Sequence, residues 1–316
     1  LAESQTRGID HNTRNSAANP AYGCMMRETA HYILQSLRAE QWVKNAFIFP
    51  ALIFSKNLLH LDLLVQVSIG FFLFCFASSS VYIFNDIRDR DHDREHPEKS
   101  KRPIAAGLLR VEVIGGIAFL LAAFSLAAAY WMNRSFFAVL AAYVIINVLY
   151  TVRLKNIVIL DVMCIASGFV LRVLAGTILA GVAATDWLYI CTITISLFLG
   201  FSKRRQELSA SRENAEKQRK VLADYSVPFL DQMISVATAC TVMSYTLYTI
   251  SPVTVERFGT SNLLFTIPFV LYGIYRYLYL IHQKGMGGNP AKALLNDIPL
   301  LLNGFLWIAA VVWIIY

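Results

Sequence analysis

The chain has 316 residues, of which 56% are hydrophobic and 16% charged, and a formal net charge of +7. Soluble globular domains carry about 25% charged residues, and apolar stretches recur here from Trp42 to Tyr316. Two ordinary soluble domains are therefore excluded in favour of one polytopic membrane domain. The basic excess sits in loops beside apolar stretches, which points to membrane topology and phosphate binding and away from nucleic acid.

Residues 1–30 are polar and contain no apolar run of signal-peptide type, so they are expected to form a flexible cytoplasmic tail ahead of a domain over 31–316. Nine spans are predicted, at 42–60, 63–84, 113–131, 135–150, 157–180, 187–201, 229–250, 262–281 and 298–316. A helix needs roughly 20 apolar residues to cross about 30 Å of hydrocarbon. The stretches at 135–150 and 187–201 must therefore extend into their neighbours or be shielded in the bundle. The first span carries Lys44 and Asn45 in its opening turn and is interrupted by Pro50, which suits a segment facing a polar cavity. Cys24, Cys75, Cys164, Cys191 and Cys240 are dispersed with no CxxC pair, and read as small core residues rather than disulfide or metal partners.

With the N-terminus inside, 23 of the 28 Lys and Arg residues fall on the cytoplasmic side. Lys56, Arg134 and Arg257 fall outside, and Arg172 and Arg276 lie within spans. That asymmetry sets the orientation by the positive-inside rule, puts both charged loops in the cytoplasm and leaves Tyr316 near the outer face.

The run from Asn85 to Arg94, Asn-Asp-Ile-Arg-Asp-Arg-Asp-His-Asp-Arg, is the densest chemistry in the chain. Asp86, Asp89 and Asp93 are spaced 3 and 4 apart, so on a helix continuing from 63–84 they share one face with Asn85 near its start. Like charges at that spacing repel. A hard cation bridging them to a diphosphate removes the conflict, and Mg²⁺ is commonly held by one or two carboxylates plus phosphate oxygens and water. Pro97 is expected to end the charged helix near Glu95 or His96. Lys99, Lys101 and Arg102 then line a turn where they can neutralise further phosphate charge. His92 and His96 have a spacing that permits zinc, but the HExxH pattern is absent and the neighbouring ligands are oxygens.

This run resembles the NDxxDxxxD signature of the intramembrane polyprenyltransferase superfamily that includes 4-hydroxybenzoate polyprenyltransferase. The continuation to Gly107 looks more specifically like the decaprenyl-phosphate phosphoribosyltransferase branch. So do Gln41-Trp42-Val43-Lys44-Asn45, Tyr150 to Lys155 with Asp161, and Gly200 to Glu207. The resemblance implies an all-α, nine-span, Mg²⁺-dependent enzyme of a bacterial cytoplasmic membrane, with its active site near the cytoplasmic face. Asn85, Asp86, Asp89, Asp93 and Asp161 are the implied metal ligands, with Asp86, Asp89 and Asp93 catalytic. Lys44, Asn85, Arg94, Lys99, Lys101, Arg102, Tyr150, Arg153, Lys155, Arg172, Lys203, Arg204, Arg205 and Glu207 are the implied substrate contacts.

Aromatic-acceptor members carry a second DxxxD-type set in the loop where this chain has Lys203, Arg204, Arg205 and a single Glu207. Cations in place of carboxylates change the expected partner from a second metal cluster to phosphate oxygens, gripped by forked Arg donors and a mobile Lys. A helical lid over 203–222, supported by a Glu213–Lys217 pair, is expected to follow. Arg172 lies deep in the fifth span, where it needs a carboxylate partner or an anion in the cavity. Asp161 lies three turns earlier on roughly the same face. Gly285 to Pro290 reads as a turn between spans, because no strand precedes it.

The expected reaction is transfer of phosphoribose from 5-phosphoribose 1-diphosphate to a polyprenyl phosphate, with the isoprenoid lipid and the bilayer as partners and a homo-oligomer left open. The alternatives are prenyl transfer to an aromatic acceptor, which the cationic second loop disfavours, and a phosphate-transporting bundle, which leaves the carboxylate motif without a purpose.

Overall fold

The computed structural model describes residues 20–95, 99–183, 185–210, 220–285 and 290–316, and every regular element in them is helical. Residues 1–19 of the expected tail, His96, Pro97, the Glu213–Lys217 pair and Met286 to Asn289 lie outside the described residues. Helix α1 (Pro20–Ser36) leads into a 3₁₀ segment (Ala39–Ile48) and a short α2 (Pro50–Ile53). Then come α3 (Leu61–Arg88), α4 (Arg90–Arg94), α5 (Val111–Met132), α6 (Arg134–Val152), α7 (Leu160–Ala180) and α8 (Asp186–Ala210). The chain ends with α9 (Val227–Ile250), α10 (Pro252–Phe258), α11 (Ile267–Lys284), α12 (Pro290–Asn296) and α13 (Ile298–Ile315).

Among the described residues, seven helices are long and apolar enough to cross a membrane: α3, α5, α6, α7, α9, α11 with its preceding turn, and α13. The short stretches at 135–150 and 187–201 do extend, into the 19 residues of α6 and the 25 of α8. Helix α8 has the length of a span, but charge fills its last turns. The stretch at 42–60 differs most from expectation. Pro50 lacks the N–H a continuous helix requires, and a buried Asn45 and a half-buried Lys44 stand just before Phe47 and Pro50, which line a cavity. The result is a 3₁₀ segment and a four-residue helix instead of one long rod.

Small residues set the approach of this irregular segment. A Cβ built on Gly176 of α7 would sit 2.0 Å from the carbonyl oxygen of Ile48, so only glycine lets the two backbones meet. On the other side, Ser79 of α3 donates to the Leu37 carbonyl (2.8 Å) and accepts from Trp42 Nε1 (3.1 Å). Ile48 and Leu52 thereby enter a core with Phe74, Phe136, Leu140, Tyr143 and Leu179. A second core, around Phe198, Leu230, Ile234 and Tyr277, joins α8, α9 and α11.

The 28 residues of α3 span about 42 Å at 1.5 Å per residue, against roughly 30 Å of hydrocarbon. Its C-terminal end therefore reaches polar surroundings, and that end carries Asn85 and Asp86. At the opposite end of the bundle, Lys56 Nζ donates to the Phe258 carbonyl (3.3 Å) and Leu58 N to the Tyr316 hydroxyl (2.7 Å). Asp297 caps α13 by accepting from Leu300 N (2.9 Å), the expected entry to the last span, and its carboxylate also grips Arg276 of α11.

Gly176→Ala is expected to push the 3₁₀ segment off α7 at a cost of about 1–3 kcal/mol, lowering the thermal midpoint of the detergent-solubilised protein by several degrees. Gly116→Ala, where a Cβ meets nothing within 4 Å, is the matched control and should hold or raise that midpoint.

Candidate active site

The carboxylate face forms as the spacing requires. Helix α3 ends at Arg88, Asp89 serves as the junction, and α4 resumes at once. The i→i+4 bonds run through, Asp89 N to Asn85 O (2.9 Å) and Asp93 N to Asp89 O (2.8 Å), so the three carboxylates stay on one side. Asp86 and Asp93 are buried and Asp89 is half-buried. Charges so placed need partners, and three other elements supply them. Arg38, between α1 and the 3₁₀ segment, reaches Asp86 Oδ1 at 2.5 Å. Arg102, from the turn after α4, bridges Asp86 (3.0 Å) and Asp93 (2.6 Å). Lys155, between α6 and α7, meets Asp89 at 2.5 Å. Asn85 accepts from the Thr151 hydroxyl (3.3 Å).

A second network lies deeper. Arg204 of α8 is fully buried and spends its guanidinium on Asp161 of α7, on Glu207 (2.5 Å) and on the Tyr150 hydroxyl (3.0 Å). Tyr225 donates to the other oxygen of Asp161 (2.8 Å) and accepts from Ile159 N (2.7 Å). That bond secures Ile159 at φ +69°, unusual for a β-branched residue. Both oxygens of Asp161 are thus engaged by protein donors. Arg205 turns away to Asp231 on α9 at 2.5 Å, and Lys203 lies 3.8 Å from Glu207. Successive helical residues point about 100° apart, so the triplet divides: Lys203 and Arg204 both meet Glu207, while Arg205 is drawn to α9. It does not form the single phosphate-gripping patch its sequence suggested.

Arg172 resolves the question of its partner. It donates from Nε to Asn45 Oδ1 (2.7 Å), from Nη1 to the Gly168 carbonyl (2.7 Å) and from Nη2 to the Tyr143 hydroxyl (3.0 Å). The Tyr143 ring lies 4.7 Å from its guanidinium carbon. Every acceptor is neutral. Lys44 likewise makes no ion pair among the described residues, and it lies near enough to Arg172 and Lys203 to feel their charge. The carboxylate networks are paired with their own cations, and neither Lys44 nor Arg172 makes an ion pair among the described residues, although the Glu40 carboxylate acts on Lys44 from a distance.

Of the other expected contacts, Arg94 bonds the Ala105 carbonyl (3.1 Å) and Asp91 (3.3 Å), and so ties the charged loop to itself. Arg153 and Lys101 are exposed and Lys99 is half-buried in the short turn Lys99–Lys101. His92 is exposed. Beyond the polar region an apolar cavity of about 230 Å³ runs towards the far end of the bundle, with Phe47, Phe54, Trp187, Tyr245 and Trp307 on its wall. Phe47 is three residues from Lys44, so apolar space begins one turn from the cations.

The donor set suits a hard divalent cation, because Asn85, Asp86, Asp89 and Asp93 offer only oxygen. Among the described residues no three acidic, His or Cys side chains converge on one point. Mg²⁺ is commonly held by one or two carboxylates, with phosphate oxygens and water completing its shell.

The model of the UbiA prenyltransferase family matches residues 46–314. The chain belongs to this family. Decaprenyl-phosphate phosphoribosyltransferase of Corynebacterium glutamicum is 30% identical over 92% of this chain and 88% of its own length. The protein of that description from Mycolicibacterium smegmatis is 31% identical over 90% and 92%. Among solved structures, a UbiA homolog from Archaeoglobus fulgidus bound to GPP and Mg²⁺ superposes with a TM-score of 0.69 at 22% identity, covering 90% of this chain and 99% of that one. The fold is therefore the UbiA fold, and its carboxylate face lies at the end of the long third helix.

Sequence reasoning treated Arg38 only as one of the inside cations and missed Tyr143, Thr151, Tyr225 and Asp231 altogether. No local spacing marks them, since each meets its partner across 26 to 66 residues of chain. Replacing Arg204 by Leu leaves Asp161 buried without its charge partner and should cost about 3–5 kcal/mol. Arg205→Leu, at a partly exposed pair, should cost about 1 kcal/mol or less. Denaturant unfolding followed by tryptophan fluorescence separates the two.

Proposed function

We propose that this protein transfers 5-phosphoribose from 5-phosphoribose 1-diphosphate to a polyprenyl phosphate of decaprenyl type, with Mg²⁺ as cofactor and diphosphate as the leaving group. The observation that carries this reading is the charge balance of the site. A carboxylate face lies beside Lys44 and Arg172, two cations that make no ion pair among the described residues. A substrate pair rich in phosphate supplies what is missing. The curated relatives act on such substrates by name, and they match this chain along almost its whole length.

In this reading Asn85, Asp86, Asp89 and Asp93 would hold Mg²⁺, which when bound would stabilise negative charge on the departing diphosphate. Lys44 and Lys203 meet phosphate oxygens at the cavity wall, with Lys99, Lys101 and Arg153 at its rim. Arg172 holds Asn45 and keeps the potential at the site positive, with one N–H on each of its three nitrogens bonded to a neutral acceptor. Arg204 and Glu207 keep α8 against α7 so that Lys203 stays in place. A lipid phosphate oxygen bonds to ribose C1 as the C1–O bond to diphosphate breaks. That oxygen is anionic at neutral pH, so the step needs no strong general base. Holding both reactants in one site supplies the proximity that chance encounter in a bilayer lacks.

The same reading takes α8 and the segment at 42–60 as the two passes that complete nine. It also puts the site at the cytoplasmic face of a bacterial membrane. The positive-inside asymmetry supports that orientation, as does the pairing of Leu58 with Tyr316 at the end away from the carboxylates.

The test offers purified protein labelled phosphoribosyl diphosphate with polyprenyl phosphate, and separately a prenyl diphosphate with 4-hydroxybenzoate, and identifies the lipid product by mass. Phosphoribosylated lipid is the expected product, and a prenylated aromatic acid alone would overturn the assignment. Asp86→Asn and Asp89→Asn should each lower turnover by more than roughly 100-fold in protein that remains folded. Full activity of both at limiting Mg²⁺ would remove the carboxylates from the metal site.

A further inference from the structure

Arg38 is the one member of the carboxylate network whose backbone is held in a left-handed conformation, with φ 53° and ψ 51°. For a residue with a Cβ this conformation costs about 1–2 kcal/mol, and it persists only where the surroundings enforce it. Three bonds enforce it here. Ser79 Oγ holds the preceding carbonyl of Leu37 (2.8 Å), Trp42 Nε1 holds Ser79 (3.1 Å), and Gln41 N closes the turn on the Arg38 carbonyl (2.8 Å). The turn throws the Arg38 side chain across Tyr82, with the guanidinium carbon 5.3 Å from the ring centroid, and its Nη2 onto Asp86 Oδ1. Asp86 is 4% exposed, whereas the Arg38 side chain remains 21% exposed. The carboxylate is committed to the interior and the cation stands at its open side.

Arg38 and Arg102 share that single oxygen of Asp86, at 2.5 and 3.0 Å. Arg102 has a second carboxylate, Asp93, to hold it in place. Arg38 has no other carboxylate partner among the described residues, so it is the group a competing cation displaces. A guanidinium moved off Asp86 but still pinned at its αL turn and against Tyr82 can shift only a short way. Its forked donors then face whatever anion the incoming ion has brought.

We propose that Arg38 is a stand-in cation that occupies Asp86 until the divalent ion arrives, and then passes its hydrogen bonds to a phosphate oxygen of the donor diphosphate. The proposal rests on the reading of Asp86 to Asp93 as the metal–diphosphate site. It assigns to Arg38 two opposed effects: it competes with the metal when the site is free of substrate, and it supports the donor once the metal is in place. The arrangement discourages metal binding without substrate and couples the two. A residue that merely braces the fold would produce neither sign pattern.

The experiment uses the full chain in detergent, with Mn²⁺ alone as the spectroscopic probe and electron paramagnetic resonance reporting free ion. Arg38→Gly suits the αL turn and removes only the side chain, while Arg38→Lys retains a charge but no fork. Arg38→Gly should tighten Mn²⁺ about threefold or more in the absence of substrate, since a cation leaves the ligand's side. In the presence of saturating Mn²⁺ it should weaken binding of phosphoribosyl diphosphate about tenfold. Arg38→Lys should fall between wild type and Arg38→Gly in both measurements. Weakening of metal and donor together, or no change in either, would overturn the inference and leave Arg38 a structural turn. Asp89→Asn separates the underlying reading: if Mn²⁺ binds that variant as it binds wild type, the carboxylate site itself is wrong and the inference falls with it.

Discussion

Burying carboxylates at the end of a membrane helix is the constraint on which this structure turns. Asp86 and Asp93 are removed from water, and a bare carboxylate there is too costly to persist. The chain answers with cations drawn from three separate places: Arg38 before the first core segment, Arg102 after the charged helix, and Lys155 between α6 and α7. Each pair therefore fixes the position of an element as well as a charge. The 3₁₀ segment, the charged loop and the α6–α7 turn are gathered round the end of α3 by the same bonds that neutralise it. Arg38, Asp86, Arg102 and Asp93 form one continuous chain of ion pairs, and Lys155 with Asp89 forms a second beside it.

The deeper network serves the other half of the bundle. Arg204 pairs two carboxylates and a tyrosine from inside a membrane protein, where the gain from geometry must exceed a large desolvation cost. Such an arrangement tolerates little displacement, so it registers α8 against α7 and against the Tyr225 segment. Its neighbours are then aimed by helix geometry alone. Arg205 is turned to α9, and Lys203 lies one turn before Glu207 on α8 itself. One rigid residue thus decides where a mobile one stands.

The carboxylate face was legible because its spacing and the helix period belong to one continuous element, and local periodicity carries all the information. The seven long apolar helices were legible for the same reason, each being a run of hydrophobic residues bounded by charge. The partners were not. Arg38 and Asp86 are 48 residues apart, Lys155 and Asp89 66, Arg204 and Asp161 43, and which cation meets which anion is settled by packing. The triplet at 203–205 shows the limit from the other direction. Adjacent in sequence, its members look like one patch, but the helix sends Arg205 to Asp231 while Lys203 and Arg204 share Glu207. The segment at 42–60 gave a half-signal. Lys44, Asn45 and Pro50 marked it as irregular, but the 3₁₀ path depends on Gly176, more than a hundred residues away.

Arg172 shows how the polar and apolar halves meet. Its hydrogen bonds go to an amide, a main-chain carbonyl and a phenol, and three aromatic rings surround it. Neutral acceptors satisfy its donors without cancelling its charge, and aromatic faces favour a cation without hydrating it. Its field therefore reaches along the cavity instead of ending at a carboxylate, and Lys44 on the neighbouring 3₁₀ segment adds to it. One turn further on, Phe47 packs against Phe169 and opens onto the apolar cavity. An amphiphile with an anionic head and a hydrocarbon tail meets both environments in the order its own structure requires. The boundary falls at Asn45, whose amide joins Arg172 to Ser78 and Cys75 of α3. The residue that fixes the cation in place is thus also the one that locks the irregular segment to the bundle.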